Sequence, residues 1–474
     1  LDVGYIAAKL CGFLLTPALF SRFRPLRVLR AAGAVLAVFS LAMACTRSLF
    51  PLLFFRAAQG AAGGILLVGG QTLLFALLKR KQQPLAQLFF AFGAVVAPAT
   101  FVSFIQGRMV DVLAWEAIFL SAAALCLAAV IVLAAIPAVP ACSGARRLDV
   151  PGFLLFAGAS VCLTYIAQEG SRWNWFEAPQ IIGMTAFGFA ALLACVLRRA
   201  VLTRKQARAG PCAFDNQEFC FGFTISFVAG AALFGSAWLI PGFSLNVLDF
   251  TASEAGALVA PGGAAFLATL VLTALLVSLS RINPLATVPL GIVLIMAGMW
   301  LLSGSTSASG SADLFLPLLI RGAGLGFLFL SLTLYALGGL TGSRIAQGVA
   351  LFTAQRQFGG LFGVAFLQRY LDHQNAANIS ILSSRLESGG VLLSERLQSV
   401  QAALQSRGME PDGAGQAALV FLRRSLNLQG NTLSYNESFF ALVLLFFIAA
   451  PALIFFKIWL SKRPWIAAAN RREG

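Results

Sequence analysis

Long apolar runs alternate with short loops along this chain, and positive charge collects in every second loop. A stretch such as Phe153–Ala167 carries no charge at all. A helix needs about 20 such residues to cross the hydrocarbon core of a bilayer. In lipid, only helices and closed barrels satisfy every backbone hydrogen bond. The period-2 alternation of a barrel strand is absent, so the pattern predicts an all-α polytopic membrane protein.

The formal charge of +16 raises the question of nucleic acid, but topology accounts for it. Loops 21–30, 79–84, 137–149, 197–220, 280–284, 341–348 and the tail after 456 hold 21 of the 34 Lys and Arg residues. The short loops on the other face hold only Arg47, Arg108 and Arg172. The positive-inside rule then puts the first set, and the C-terminal tail, on the cytoplasmic side of the inner (plasma) membrane. These basic loops are short and interrupt helices, so no nucleic-acid partner is expected.

Spans near 3–20, 31–46, 50–78, 85–107, 117–136, 150–169, 180–197, 221–247, 255–279, 285–303, 314–340, 349–368 and 438–460 number thirteen. An odd number puts the termini on opposite faces, which predicts one helix missing upstream of Leu1. Three regions follow: 1–136 as an N-terminal helical bundle lacking its first helix, 137–220 as two extra central helices with a cytoplasmic linker, and 221–474 as a C-terminal bundle. Inside the last, 371–437 is polar, with breaks at Gly389, Gly390 and Pro411. It reads as an extracytoplasmic insertion of two or three short amphipathic helices.

Charge inside a span is costly and marks candidate function. Arg56 opens FRAAQGAAGG, with Gln59 one turn on and Gly60, Gly63 and Gly64 allowing close helix approach. It reads either as a cavity residue or as a brace at the outer interface. Arg321 in IRGAGLG is its counterpart in a weak internal repeat, 53–67 against 318–330, the signature of two bundles rocking about a midplane site. Arg356 in RQFGG is expected near the cytoplasmic end of its span, as a brace that snorkels or pairs. Gln71, Trp238 and Tyr335 complete the candidate cavity set, and Tyr165 also lies deep enough for an apolar wall. Carboxylates are scarce: none of the 18 acids lies at the centre of a span. Asp2, Glu169 and Glu218 sit at span ends as coupling or gating candidates, with Arg22, Pro98 and Arg356. Trp173, Trp175 and Phe176 read as an interfacial aromatic belt.

No enzyme constellation emerges. No Walker-type loop is present to make ATP the energy source, and neither HExxH nor a nucleophile elbow occurs. The eight cysteines lie in spans or inner loops without metal-type spacing and read as small buried hydrophobes. His373, the only histidine, reads as a surface residue. No cofactor and no metal are expected.

Arg56-Ala-Ala-Gln59-Gly60 looks like an RxxQG element, Trp115–Phe119 like a WRWIF element, and Arg356–Ala365 like an RQxGGSxG stretch. DVPGFLLFAGAS and GSRWNWFEAPQI resemble the segment forming two extra central helices. Together they resemble the major facilitator superfamily, specifically its EmrB/QacA-type branch of fourteen-helix drug:proton antiporters. The resemblance implies two six-helix bundles plus two extra helices, with about 13 of 14 spans visible and the first-helix acid among what is missing. It also implies proton-coupled efflux of drugs or other amphipathic compounds by alternating access, with a small-molecule substrate and protons as partners. In Gram-negative cells a periplasmic adaptor and an outer-membrane channel are implied as well. The chain departs from the pattern at Ser21 and Pro17 in the gate loop, where Arg22 remains. It departs again at Phe101, Val102, Ile105 and Gln106, where the antiporter element has Gly, Pro, Gly and Gly, and at Glu116, where it has Arg. Bulk in place of glycine predicts a stiffened or spread contact there. A specific metabolite or siderophore exporter, and a non-transporting sensor or scaffold, are the competing expectations.

Overall fold

The computed structural model describes residues 2–137, 149–206, 213–280, 282–388 and 390–462. Basic residues within 138–148, 207–212 and 463–474, and Arg281, lie outside the described residues. Among the described residues every regular element is helical. The helices are α1 (Asp2–Arg22), α2 (Pro25–Cys45), α3 (Leu49–Leu77), α4 (Gln83–Ala91), α5 (Ser103–Val112), α6 (Glu116–Ala135), α7 (Val150–Glu169), α8 (Pro179–Gln206), α9 (Gln217–Asn246), α10 (Ala252–Leu258), α11 (Ala260–Leu279), α12 (Val288–Leu302), α13 (Ser311–Leu337), α14 (Ser343–Ser388), α15 (Gly390–Gln405) and α16 (Pro411–Ser461). Among the described residues twelve spans are long and apolar enough to cross a membrane, with 83–112 and 252–279 each counted as one. The apolar first half of α14, diluted by Gln355, Arg356 and Gln357, is the remaining predicted span.

Large apolar side chains cover the outside of the bundle: Phe50 is 83% exposed, Phe455 71%, and Leu125 and Ile131 70% each. Water would not tolerate such a surface, and hydrocarbon favours it. Burial is instead spent where helices touch, and glycine sets how closely. A Cβ on Gly60 would strike the Tyr5 carbonyl, one on Gly64 the Lys9 carbonyl, and one on Gly12 the Ala61 carbonyl. Thus α1 and α3 are in backbone contact through a GxxxG pair. α11 and α13 repeat the arrangement, with Gly322 against the Gly262 carbonyl and Gly326 against the Phe266 carbonyl. This register corrects the expected internal repeat: superposing the two glycine pairs sets Arg321 opposite Gln59, and Arg56 opposite Leu318. α9 and α14 make a third such contact, through Gly230, Gly359 and Gly363.

Two boundaries change what side chains do. α2 begins at Pro25 rather than near 31, so Arg30 lies on the helix. Its guanidinium donates to the carbonyls of Leu133 (3.0 Å) and Ile136 (3.0 Å), which satisfies the open end of α6. The polar segment 371–437 is not a set of separate short helices. α14 and α16 run 46 and 51 residues without a break, about 70 and 75 Å, and α15 lies between them. Each therefore overshoots the roughly 30 Å hydrocarbon core by about 40 Å. Asn378 clasps the two extensions by donating to Ser434 Oγ (3.1 Å) and Glu437 Oε2 (3.2 Å). His373 is exposed on α14, as expected. Cys11, Cys45, Cys126 and Cys162 are free thiols.

Candidate functional site

Arg56 lies about 10 Å inside α3 from its start at Leu49. Its Nη2 meets Asp2 Oδ1 at 3.2 Å, its Nη1 donates to Gln59 Oε1 at 3.3 Å, and its guanidinium lies over the Tyr5 ring at 4.6 Å. Phe119 of α6 approaches the other side, 5.8 Å from ring centroid to guanidinium. Gln59, 3% exposed, passes the network on by donating to Ser40 Oγ of α2 at 3.1 Å. Four helices thus meet at one cation. The structure brings Asp2, Arg56 and Gln59 together. Tyr5 and Ser40 were missed, although Asp2, Tyr5 and Lys9 at spacings of three and four already mark one face of α1.

In α13, Arg321 is 8% exposed, and its Nη2 donates to Ser236 Oγ of α9 at 2.7 Å. Its Nε finds no acceptor. Arg356 is a correction. It lies 13 residues, about 20 Å, inside α14 from Ser343, not at the span's end. Its guanidinium sits 4.1 Å from the Phe329 ring centroid and 4.7 Å from that of Phe352, and Nη2 donates to Thr333 Oγ1 at 3.3 Å. At that depth it cannot snorkel, and aromatic faces take the place of interfacial water. Ser236 and Thr333 carry no sequence signal, because single hydroxyl residues are common inside spans.

Gln71 is buried and donates to Gln87 Oε1 of α4 at 3.2 Å, a partner sequence reasoning missed. Within residues 83–112, Pro98 opens the second of two π-helical segments, Phe92–Val96 and Pro98–Val102. Proline offers no N–H to the carbonyl four residues back, and the ladder widens around it instead of turning. The bulky residues that replace glycine in this stretch do not spread the contact, because the partner supplies the glycines. A Cβ on Gly256 would lie 2.9 Å from Phe104 Cα, and one on Gly263 would strike Thr100. Gly107 closes on the Ala252 carbonyl, and Asp111 Oδ2 accepts the Ser253 N–H at 3.0 Å. At the other end of the same helix pair Ser278 Oγ donates to the Lys81 carbonyl at 3.4 Å.

The remaining candidates stand apart. Arg22 lies over the Phe23 ring at the end of α1 (5.7 Å), and Glu169 pairs locally with Arg172 (3.5 Å). Glu218 is in the first turn of α9, its N–H capped by Asn216. Tyr335 packs edge-on against Phe221 at 6.0 Å, and Trp238 packs on the hydrophobic core. Neither lines the large cavity of about 1890 Å³, which runs between the α7–α8 hairpin and helices α9 and α14. Leu163, Phe189, Phe223, Phe227, Phe358 and Phe362 make its wall, with Asp215 at one end and Glu177 and Arg369 at the other. The hairpin is closed at its end near Asp149 by a two-pronged ion pair, in which Arg198 Nη2 and Nε meet Asp149 Oδ1 and Oδ2 at 2.7 and 2.9 Å.

Solved structures show a similar fold. The chain is 13% identical to a bacterial homologue of the human lysosomal transporter Spinster, solved inward-facing and unoccupied, with a TM-score of 0.51 over 97% of this chain and 91% of that one. It matches the proton:xylose symporter XylE with a TM-score of 0.50, at 13% identity, over 92% and 87% of the two chains. At these identities the likeness is one of fold. In sequence it is 26% identical to the colistin resistance protein EmrB of Acinetobacter baumannii, over 88% of this chain and 80% of that protein. It is 22% identical to the multidrug export protein EmrB of Escherichia coli K12, over 92% and 82%. Residues 1–364 match the family description of the Major Facilitator Superfamily, and with the helical architecture above this settles the assignment: the chain is a multi-pass membrane transporter belonging to the Major Facilitator Superfamily.

Proposed function

We propose that the protein is a proton-coupled exporter of drugs or other amphipathic organic compounds, working by alternating access in the inner membrane with its C-terminus cytoplasmic. The observation that carries the reading is the network Asp2–Arg56–Gln59–Ser40, which joins a carboxylate and an in-span arginine across three spans. The ion pair and the two hydrogen bonds that follow it make the positions of α1, α2 and α3 depend on one another. The export name of the Escherichia coli relative supports the direction of transport and the class of substrate. The basic loops, 21 Lys and Arg against 3, support the orientation.

The regions 1–136, 137–220 and 221–474 act as two rocking bundles with an intervening helix pair. The α14–α16 extension is the surface that meets a periplasmic adaptor, which in turn joins an outer-membrane channel. The test is efflux from proteoliposomes under an imposed pH gradient, with the wild type against Arg56→Ala. Wild-type flux that collapses with the gradient, and its loss in an Arg56→Ala variant present in the membrane at normal amounts, are expected. Wild-type rates in that variant would remove Arg56 from the mechanism.

A further inference from the structure

Four basic side chains lie seven or more residues inside the apolar spans: Lys9, Arg56, Arg321 and Arg356. Only Asp2 forms an ion pair with any of them among the described residues. Three of the four cations are therefore left to other means. Lys9 lies over the Tyr5 ring at 6.0 Å, and Arg356 is held between Phe329 and Phe352. Arg321 has neither a carboxylate nor an aromatic face. Its one acceptor is the neutral Ser236 hydroxyl, and its buried Nε is unpaired.

A guanidinium does not shed its proton at any physiological pH. Burying such a charge without a counterion is among the more costly arrangements a protein holds. The side edge formed by Nε–H and the second Nη2 hydrogen is the fork that takes a carboxylate or sulfonate in two parallel bonds. Close packing fixes that fork in place. A Cβ on Gly298 would lie 2.8 Å from the Arg321 backbone nitrogen, and the next residue, Gly322, is pressed on Gly262. The side chain therefore cannot leave by moving its backbone.

We infer that Arg321, positioned by Ser236, is the recognition residue for an anionic group, so that the transported compounds are amphipathic organic anions. The inference rests on the transport reading above and narrows its substrate class. The scarcity of acids in the spans disfavours a cation.

The test uses three probes of one shape: biphenyl-4-carboxylate, its uncharged carboxamide, and the biphenyl-4-yl trimethylammonium cation. Binding is measured by calorimetry on the full chain in lipid nanodiscs without a gradient, and flux separately in proteoliposomes. The carboxylate is expected to bind about tenfold more tightly than the amide, which is roughly 1.4 kcal/mol, and the cation most weakly. Arg321→Gln should bring the carboxylate-to-amide ratio close to one, and Arg321→Lys should retain part of it. Equal binding of carboxylate and amide by the wild type, preference for the cation, or no carboxylate binding at millimolar concentration overturns the inference without recourse to any variant. Gradient-driven flux that is indifferent to probe charge leaves transport standing and removes the anion. Charge-selective binding without flux does the reverse.

Discussion

The glycine contact between α11 and α13 makes a quantitative claim about stability. A Cβ at Gly322 would lie 2.7 Å from the Gly262 carbonyl carbon and 2.9 Å from its Cα, against an ordinary contact of 3.4 Å or more. The Gly262 carbonyl oxygen is nearer still, and all three obstacles are backbone, so no side chain can rotate aside and the helices must part by more than about 1 Å. A Cβ at Gly326 meets the Phe266 carbonyl oxygen at 2.7 Å, one turn further on. Overpacking of this kind costs about 1–3 kcal/mol per site. With about 2 cal/mol/K of unfolding entropy per residue, a chain of 474 residues loses about 1 °C per kcal/mol. Gly322→Ala with Gly326→Ala should therefore lower the melting temperature by about 2–6 °C, read by tryptophan fluorescence in detergent. Gly183→Ala is the control, because nothing lies within 4 Å of its added carbon. Its better helix propensity should leave stability unchanged or raise it by up to about 1 kcal/mol. Equal melting temperatures for the double variant and the wild type would refute the backbone contact, and with it the rigid seating of Arg321 one residue away.

Other outcomes follow from single contacts. Asp2→Asn should reduce proton-driven flux at least tenfold while leaving membrane insertion intact; unchanged flux and pH dependence would exclude Asp2 from coupling. Asp111→Ala removes the acceptor for the Ser253 N–H and should cost about 1 kcal/mol, as loss of a cap does. A cysteine placed at Ser103 should then react faster with a water-soluble maleimide, and an unchanged rate would show that this contact does not close the α5–α10 seam. Cysteines at Val400 and at Lys81 should label from opposite faces of a sealed vesicle; labelling of both from one face would overturn the orientation proposed for the chain.

How far these features are legible before folding differs residue by residue. Arg56 and Gln59 stand out because a charge in a span is rare and an i, i+3 partner is fixed by helix geometry. The three glycine pairs are visible as spacing, yet spacing alone aligned Arg56 with Arg321, and only the carbonyls each glycine touches set Gln59 opposite Arg321. Arg356 was placed near a membrane face because a lone charge is expected to reach water. Its actual surroundings are two rings, one of them on another helix, which no local pattern could announce.

The sequence by itself determined that the chain is built of lipid-exposed apolar helices, because hydrocarbon leaves a backbone no other way to pair its polar groups. It did not determine that α14 and α16 run about 40 Å longer than the hydrocarbon core is thick, because a helix crossing from lipid into water needs no new signal at the boundary. Nor did it determine the hydroxyl partners of the buried arginines or the cavity against the α7–α8 hairpin. Those depend on which helix faces come together, and in lipid that choice is made by close packing and a few hydrogen bonds rather than by a hydrophobic pattern that one chain segment carries alone.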